Sequence, residues 1–223
     1  MQDVLFRWAP GAQPCLDIPA FEVREGESVF LHGPSGSGKS TLLGLLGGVL
    51  VPERGVIRIL DAELTHMGSA ARDRFRADHV GFVFQQFNLI PYLSVLDNVL
   101  LPCRFSARRR MRAEGSGASP LDEARRLLDH LDMHEALRHR PVTQLSVGQQ
   151  QRAAAARALI GAPEIGIADE PTSSLDAERQ EAFLELLLRE CEAARTTLLF
   201  VSHDLRLARS FSRTAALSSV NRA

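Results

Sequence analysis

Val29-Phe30-Leu31-His32-Gly33-Pro34-Ser35-Gly36-Ser37-Gly38-Lys39-Ser40-Thr41 decides the reading of this chain. Val29 to Leu31 is a short apolar run and reads as a buried strand. Ser40 to Leu50 reads as a helix with small and apolar residues on most faces. Between them Gly33 to Ser40 matches G-x-x-x-x-G-K-[ST], the P-loop pattern. In that pattern the backbone N–H groups of Gly36 to Thr41 line an anion-sized nest, and the following helix adds its positive end. Lys39 then reaches the β- and γ-phosphates of a nucleoside triphosphate, and the Ser40 hydroxyl is offered to Mg²⁺. The candidate nucleotide-binding residues of this stretch are Gly33, Ser35, Gly36, Ser37, Gly38, Lys39, Ser40 and Thr41. Of 26 basic residues, Lys39 is the only lysine. An arginine-rich genome explains the avoidance of lysine elsewhere but not the place of the exception. A tight loop around a phosphate chain has room for a compact ammonium on a thin stem and not for a planar guanidinium.

Composition bounds the rest. The chain has 223 residues, 45% of them hydrophobic and 24% charged, which suits one large domain or a domain with an inserted subdomain. A net charge of −1 provides no global field for nucleic acid or anionic lipid. Cys15, Cys103 and Cys191 are far apart, odd in number and without a CxxC pair, which favours a reducing compartment. No signal peptide is visible. The longest apolar stretch, Leu42 to Val51, is interrupted by glycines and is too short to span a bilayer. Any membrane role therefore runs through a partner.

Further strands are expected at Val56 to Leu60, Val80 to Phe84, Ile165 to Ala168 and Leu198 to Val201. Helices are expected at Asp122 to Leu131, Ser146 to Leu159 and Glu178 to Cys191. Strands alternate with helices at both ends of the chain and the middle is helical, which predicts a parallel α/β core with a helical insertion. Residues 104 to 120, with Arg104, Arg108, Arg109, Arg110 and Arg112 before Glu114-Gly115-Ser116-Gly117-Ala118-Ser119-Pro120, read as a flexible solvated loop. An exposed face is favoured for these arginines over an anionic-lipid or RNA site.

Ile165-Gly166-Ile167-Ala168-Asp169-Glu170 is an apolar strand ending in two acids, which alternation points to opposite sides. Asp169 fits a Mg²⁺ role and Glu170 a general base polarising the attacking water. Leu145-Ser146-Val147-Gly148-Gln149-Gln150-Gln151-Arg152 opens a helix on a good N-cap, Ser146, and a Ser and a Gly at a helix start form a second anion site.

In this order and over nearly its whole length, the chain resembles the nucleotide-binding subunit of an ABC transporter. Leu145 to Gln149 matches that family's signature motif and Ile165 to Glu170 its Walker B strand. Gln85, in Gly81-Phe82-Val83-Phe84-Gln85, matches the Q-loop. Ser173-Ser174-Leu175-Asp176 matches the D-loop, and His203, in Val201-Ser202-His203-Asp204, the switch histidine. Trp8 resembles the aromatic that stacks on adenine, with Phe6 or a core role as the other readings. The resemblance implies a P-loop NTPase (RecA-like) α/β core with a parallel-rich sheet over residues 1–85 and 157–223. It also implies a small antiparallel N-terminal β part and a helical subdomain over residues 86–156. It implies Glu170, His203, Gln85 and Lys39 as catalytic residues, Ser40, Gln85 and Asp169 around Mg²⁺, and Ser146, Gly148 and Asp176 among the nucleotide contacts.

The same resemblance implies two cassettes, identical copies being the simplest case, facing head to tail around two ATP. The P-loop of one would meet Ser146 and Gly148 of the other. It implies an integral membrane permease as partner, no nucleic acid, and a peripheral place on the cytoplasmic face of the inner (plasma) membrane. Gln85-Gln86-Phe87-Asn88-Leu89-Ile90-Pro91, with Leu96-Asp97-Asn98-Val99, points to the lipoprotein-releasing and macrolide-export branch. There Phe87, Leu89, Ile90, Pro91 and Tyr92 would line the groove for the permease's coupling helix. A soluble ATPase of cofactor assembly or nucleic-acid processing is the alternative. The chain departs from the family at Val147, where glycine is usual. A β-branched residue is disfavoured at positive φ, so an ordinary backbone is expected there.

Overall fold

β1 (Gln2–Phe6) and β2 (Leu16–Ala20) run antiparallel, and β3 (Ser28–His32) then leads through the glycine loop into α1 (Lys39–Leu46). β4 (Arg54–Val56), the short hairpin of β5 (Arg58–Ile59) and β6 (Ala62–Glu63), α2 (Ser69–His79) and β7 (Val80–Val83) complete the first part. Next come α3 (Val95–Phe105), α4 (Ala107–Ala113), α5 (Pro120–His130) and α6 (Val147–Leu159). The chain returns to the sheet with β8 (Ile165–Asp169), α7 (Ala177–Ala194), β9 (Thr197–Val201), β10 (Arg213–Ala216) and α8 (Leu217–Val220). This computed structural model describes residues 1–223, the Ser116 side chain excepted.

The main sheet has the order β10-β3-β9-β8-β7, and every neighbouring pair in it is parallel. Parallel strands must be covered on both faces, and the residues alternate accordingly. Phe30, Phe200, Leu198 and Ala168 join one core with α3, α5, α6 and α7. Val29, Leu31, Leu199, Val201 and Ile167 join a second core with α1 and the β1-β2 pair. Each buried Phe or Leu contributes about 1.5–3 kcal/mol. The small sheet β2-β1-β4 is antiparallel. The fold is therefore α/β, with a parallel five-stranded sheet, a small antiparallel sheet and a run of helices between β7 and β8.

Three expectations are corrected. The strand expected over Val56 to Leu60 breaks at Ile57 into β4 and β5, because Ile57 is buried while its N–H is taken by Thr65 Oγ1 at 2.8 Å. Leu60 turns the chain at φ 54°. α1 stops at Leu46 rather than Leu50, since Gly47 caps it and Gly48 turns left-handed at φ 66°.

The arginine run is helical. Ser106 accepts from Arg109 N and caps α4. Its arginines are bound within the chain: Arg104 to Asp97, Arg108 and Arg112 to Glu164, and Arg110 to the Cys103 carbonyl. Arg109 is 3% exposed and donates to the carbonyls of Ile160 and Ala158. Burial lowers its guanidinium to about 10. The run is a clamp between the helical insertion and the start of β8.

Candidate nucleotide site

The glycine loop starts at the carboxyl end of β3, inside the parallel sheet, where α/β folds place their ligands. Gly36 and Gly38 turn left-handed at φ 77° and 99°, as a nest of inward N–H groups requires. Gly38 is also closely packed: a Cβ there would lie 2.9 Å from Leu16 Cδ2 and 3.2 Å from the Cys15 carbonyl. The β1-β2 segment thus backs the loop, and Cys15 Sγ lies 3.5 Å from Thr41 Oγ1. Lys39 Nζ donates to the carbonyls of Gly33 (2.8 Å) and Pro34 (3.0 Å), so the ammonium is curled over the cradle. Ser37 Oγ is buried without a hydrogen-bond partner among the described residues. Pro34, Ser35 and Gly36 are exposed. A left-handed glycine nest, an orphaned hydroxyl and a cation held only by carbonyls suit a polyphosphate.

Ser40 Oγ donates to Asp169 Oδ2 at 2.9 Å across the two strand ends. Burial raises the Asp169 carboxyl, a shift opposed by that hydrogen bond and by Lys39 and reinforced by Glu170. A hydroxyl and a carboxylate side by side are hard oxygen donors, the set that Mg²⁺ takes.

Glu170, one residue past the end of β8, turns to a different partner. Its Oε2 lies 2.6 Å from His203 Nδ1, which follows β9. Glu170 itself is left-handed, φ 47°, and its N–H donates to the Val201 carbonyl at 3.0 Å.

Gln85 stands two residues beyond β7, beside β8, and is exposed. The loop after it carries two consecutive left-handed residues, Phe87 and Asn88, at φ 59° and 48°. Arg157 of α6 donates to both of their carbonyls, at 2.5 and 2.6 Å, and burial lowers its guanidinium. This tie between α6 and the Gln85 loop was not foreseen from the sequence. The groove expected around that loop loses one member, because Phe87 is buried in the core at 6% exposure while Tyr92 is 81% exposed. Trp8 is 67% exposed and packs edge-on against Phe6 with ring centroids 5.1 Å apart. The Phe6 carbonyl accepts from Cys15 N, so the strand end before the tryptophan is tied to the Cys15 segment that packs against Gly38.

Ser146 caps α6 in a reciprocal box with Gln149. Val147 is the first helical residue, with an ordinary backbone as expected, and is 47% exposed. Gly148 faces Leu175, whose Cδ2 would lie 3.7 Å from a Cβ built there. No hydrogen bond among the described residues joins Ser146 to Gly148 with the glycine loop. Asp176 caps α7 through Arg179 N at 3.0 Å. One chain therefore joins Ser40 to Asp169 and Glu170 to His203, while the start of α6 makes no hydrogen bond to the glycine loop among the described residues.

A family model described as ABC transporter matches residues 16–173. The chain belongs to the ABC transporter family. The cassette is 44% identical over 186 residues to the uncharacterized ABC transporter ATP-binding protein YbbA of Escherichia coli (strain K12), covering 83% of this chain and 78% of that protein. It is 38% identical over 196 residues to the lipoprotein-releasing system ATP-binding protein LolD of Pseudomonas fluorescens, covering 86% and 81%. Among solved structures it is similar to the dimeric post-hydrolysis state of the cassette MJ0796 bound to ADP and Pi. That match has a TM-score of 0.84 and 36% identity, and covers 96% of this chain and 92% of that one. MJ0796 is an ATP-binding protein of Methanocaldococcus jannaschii. The cassette is thus an ATPase of the transporter-motor class, and the soluble alternative is set aside. No helix among the described residues is long and apolar enough to cross a membrane.

Proposed function

We propose that this cassette is one half of a two-cassette motor that closes around two Mg-ATP and reopens on hydrolysis, driving an integral membrane partner. The observation that carries the reading is that the start of α6 is exposed and makes no hydrogen bond to the glycine loop among the described residues. The glycine loop has its cation and its carboxylates in one chain, while the N-terminus of α6 presents Ser146 and Val147 outward. A second copy turned head to tail supplies the missing pairing. The similar cassette MJ0796 was solved as a dimer.

Within one site, Gly33 to Thr41 hold the phosphates and Lys39 neutralises their charge. Trp8 covers the base, and Ser146, Gly148 and Asp176 approach from the partner cassette. When bound, Mg²⁺ would be held by Ser40, Asp169 and Gln85 and would supply charge neutralisation on the phosphate oxygens. Glu170 takes a proton from the attacking water, and His203 fixes the orientation of that carboxylate. Residues 1–85 and 157–223 form the core of the motor and residues 86–156 its helical subdomain, clamped by the arginines of α4. The partner's work is lipoprotein release, export or mechanotransmission, and the cassette sits peripherally on the cytoplasmic face of the inner membrane.

The test is ATP turnover by the purified cassette with and without Mg²⁺. Turnover that needs Mg²⁺ and is lost in Glu170→Gln supports the reading. Equal rates in the variant and the wild type would overturn the role given to Glu170.

A further inference from the structure

We infer that Gln180 is a positioning residue for Glu170, acting through the loop Pro171 to Leu175; the inference rests on Glu170 being the general base. Gln180 lies at the start of α7 and is 9% exposed. Its Nε2 donates to the Thr172 carbonyl at 3.1 Å and to the Leu175 carbonyl at 3.0 Å. Its Oε1 is buried without a partner among the described residues. As packing, this is a poor choice: an apolar side chain of the same length fills the space without an unpaired acceptor. What the amide adds is its two donors, and both hold the loop.

Glu170 begins that loop in a left-handed backbone, φ 47°, which a non-glycine residue keeps only when its surroundings over-determine it. Two backbone contacts close the loop on itself: Ser173 N to the Glu170 carbonyl at 3.2 Å and Leu175 N to the Thr172 carbonyl at 3.1 Å. The Gln180 amide adds a side-chain link from the loop's two carbonyls to α7, a helix of 18 residues. With it in place, the Glu170 carboxylate stands 2.6 Å from His203. Without it, the Thr172 and Leu175 carbonyls lose a donor and Glu170 can relax toward an ordinary φ, taking its carboxylate away from His203. The same brace holds Leu175 against Gly148 at the start of α6. One amide therefore links the signature helix to the base within a single chain. Gln180 is uncharged and its amide bonds only the Thr172 and Leu175 carbonyls, not the glycine loop, so ATP affinity is left alone.

The experiment compares Gln180→Met, which keeps the length and removes both donors, with Gln180→His, which returns one N–H. For each, kcat, KM for ATP and the melting midpoint are measured beside wild type and Glu170→Gln. The expected result is a kcat about tenfold lower in Gln180→Met, the consequence of a sub-ångström shift of the base. KM should stay within about twofold and the melting midpoint unchanged, with Gln180→His recovering at least about threefold of the loss. Should Gln180→Met fail to fold, Gln180→Asn, one methylene too short to reach either carbonyl, carries the same expected loss. Wild-type kcat in Gln180→Met, or a loss of kcat in step with KM and melting midpoint that histidine does not relieve, overturns the inference. Glu170→Gln turning over at the wild-type rate would instead overturn the role of the base on which it rests.

Discussion

The glycine loop and the start of α6 are both helix N-termini suited to an anion, yet they are built in opposite ways. At the loop, Gly36 and Gly38 are left-handed, Leu16 and Cys15 press from behind, and Lys39, Ser40, Asp169, Glu170 and His203 converge. At α6 the capping hydroxyl of Ser146 is satisfied by Gln149 of its own helix, and the next side chain, Val147, is exposed. The first site is organised by tertiary contacts between distant segments. The second is organised locally, and the proposed dimer completes it from outside. Substitutions should therefore act on the loop through binding and chemistry in one chain, and on α6 through association.

The largest effect is expected at the loop. Lys39→Ala removes its only cation, and ATP affinity should fall by about 10²–10³ in equilibrium binding. Retained affinity would mean that the backbone nest suffices. Glu170→Gln should lower turnover by about 10²–10⁴ while leaving ATP binding intact, measured by single-turnover hydrolysis beside equilibrium binding.

How much of this contrast the sequence carried depends on where the decisive contacts lie. The loop, the Asp169-Glu170 strand end and the Ser146 cap were readable because each packs its chemistry into a few consecutive residues. Local composition misled at the arginine run, since the acceptor that orders it, Glu164, lies 52 residues from Arg112. The brace from Gln180 to Thr172 and the tie from Arg157 to the Gln85 loop are side-chain bonds to carbonyls. No residue pattern announces a carbonyl acceptor. Val147 was readable in the other direction: its ordinary backbone follows from β-branching.

The arginine clamp offers a smaller, pH-dependent test of how the insertion is held to the core. Burial alone would raise the Glu164 carboxyl, but hydrogen bonds from Arg108 and His79 and the charge of Arg112 overturn it and hold it at about 2, below its ordinary 4.5. A depressed acid contributes stability above its unfolded value and loses it as pH falls through the folded one. Glu164→Gln should therefore cost about 1–2 kcal/mol of unfolding free energy at pH 7, between the values for exposed and buried pairs. The gap to wild type should close between pH 4.5 and 2. A gap independent of pH would assign the loss to packing.

The smallest effect is expected at α6. Because Val147 keeps a helical backbone and the proposed dimer assigns the close approach to Gly148, Val147→Gly should cost about 0.5–1 kcal/mol of stability. ATP-driven association should change by less than about threefold. A tenfold change would mean that the valine side chain itself takes part at the interface.

The most direct measurement is the mass in solution of the Glu170→Gln protein, by sedimentation, with and without Mg-ATP. The account predicts a monomer without nucleotide and a dimer with it. A monomer in both conditions, with ATP binding confirmed, would contradict the claim that α6 of one copy completes the glycine loop of the other.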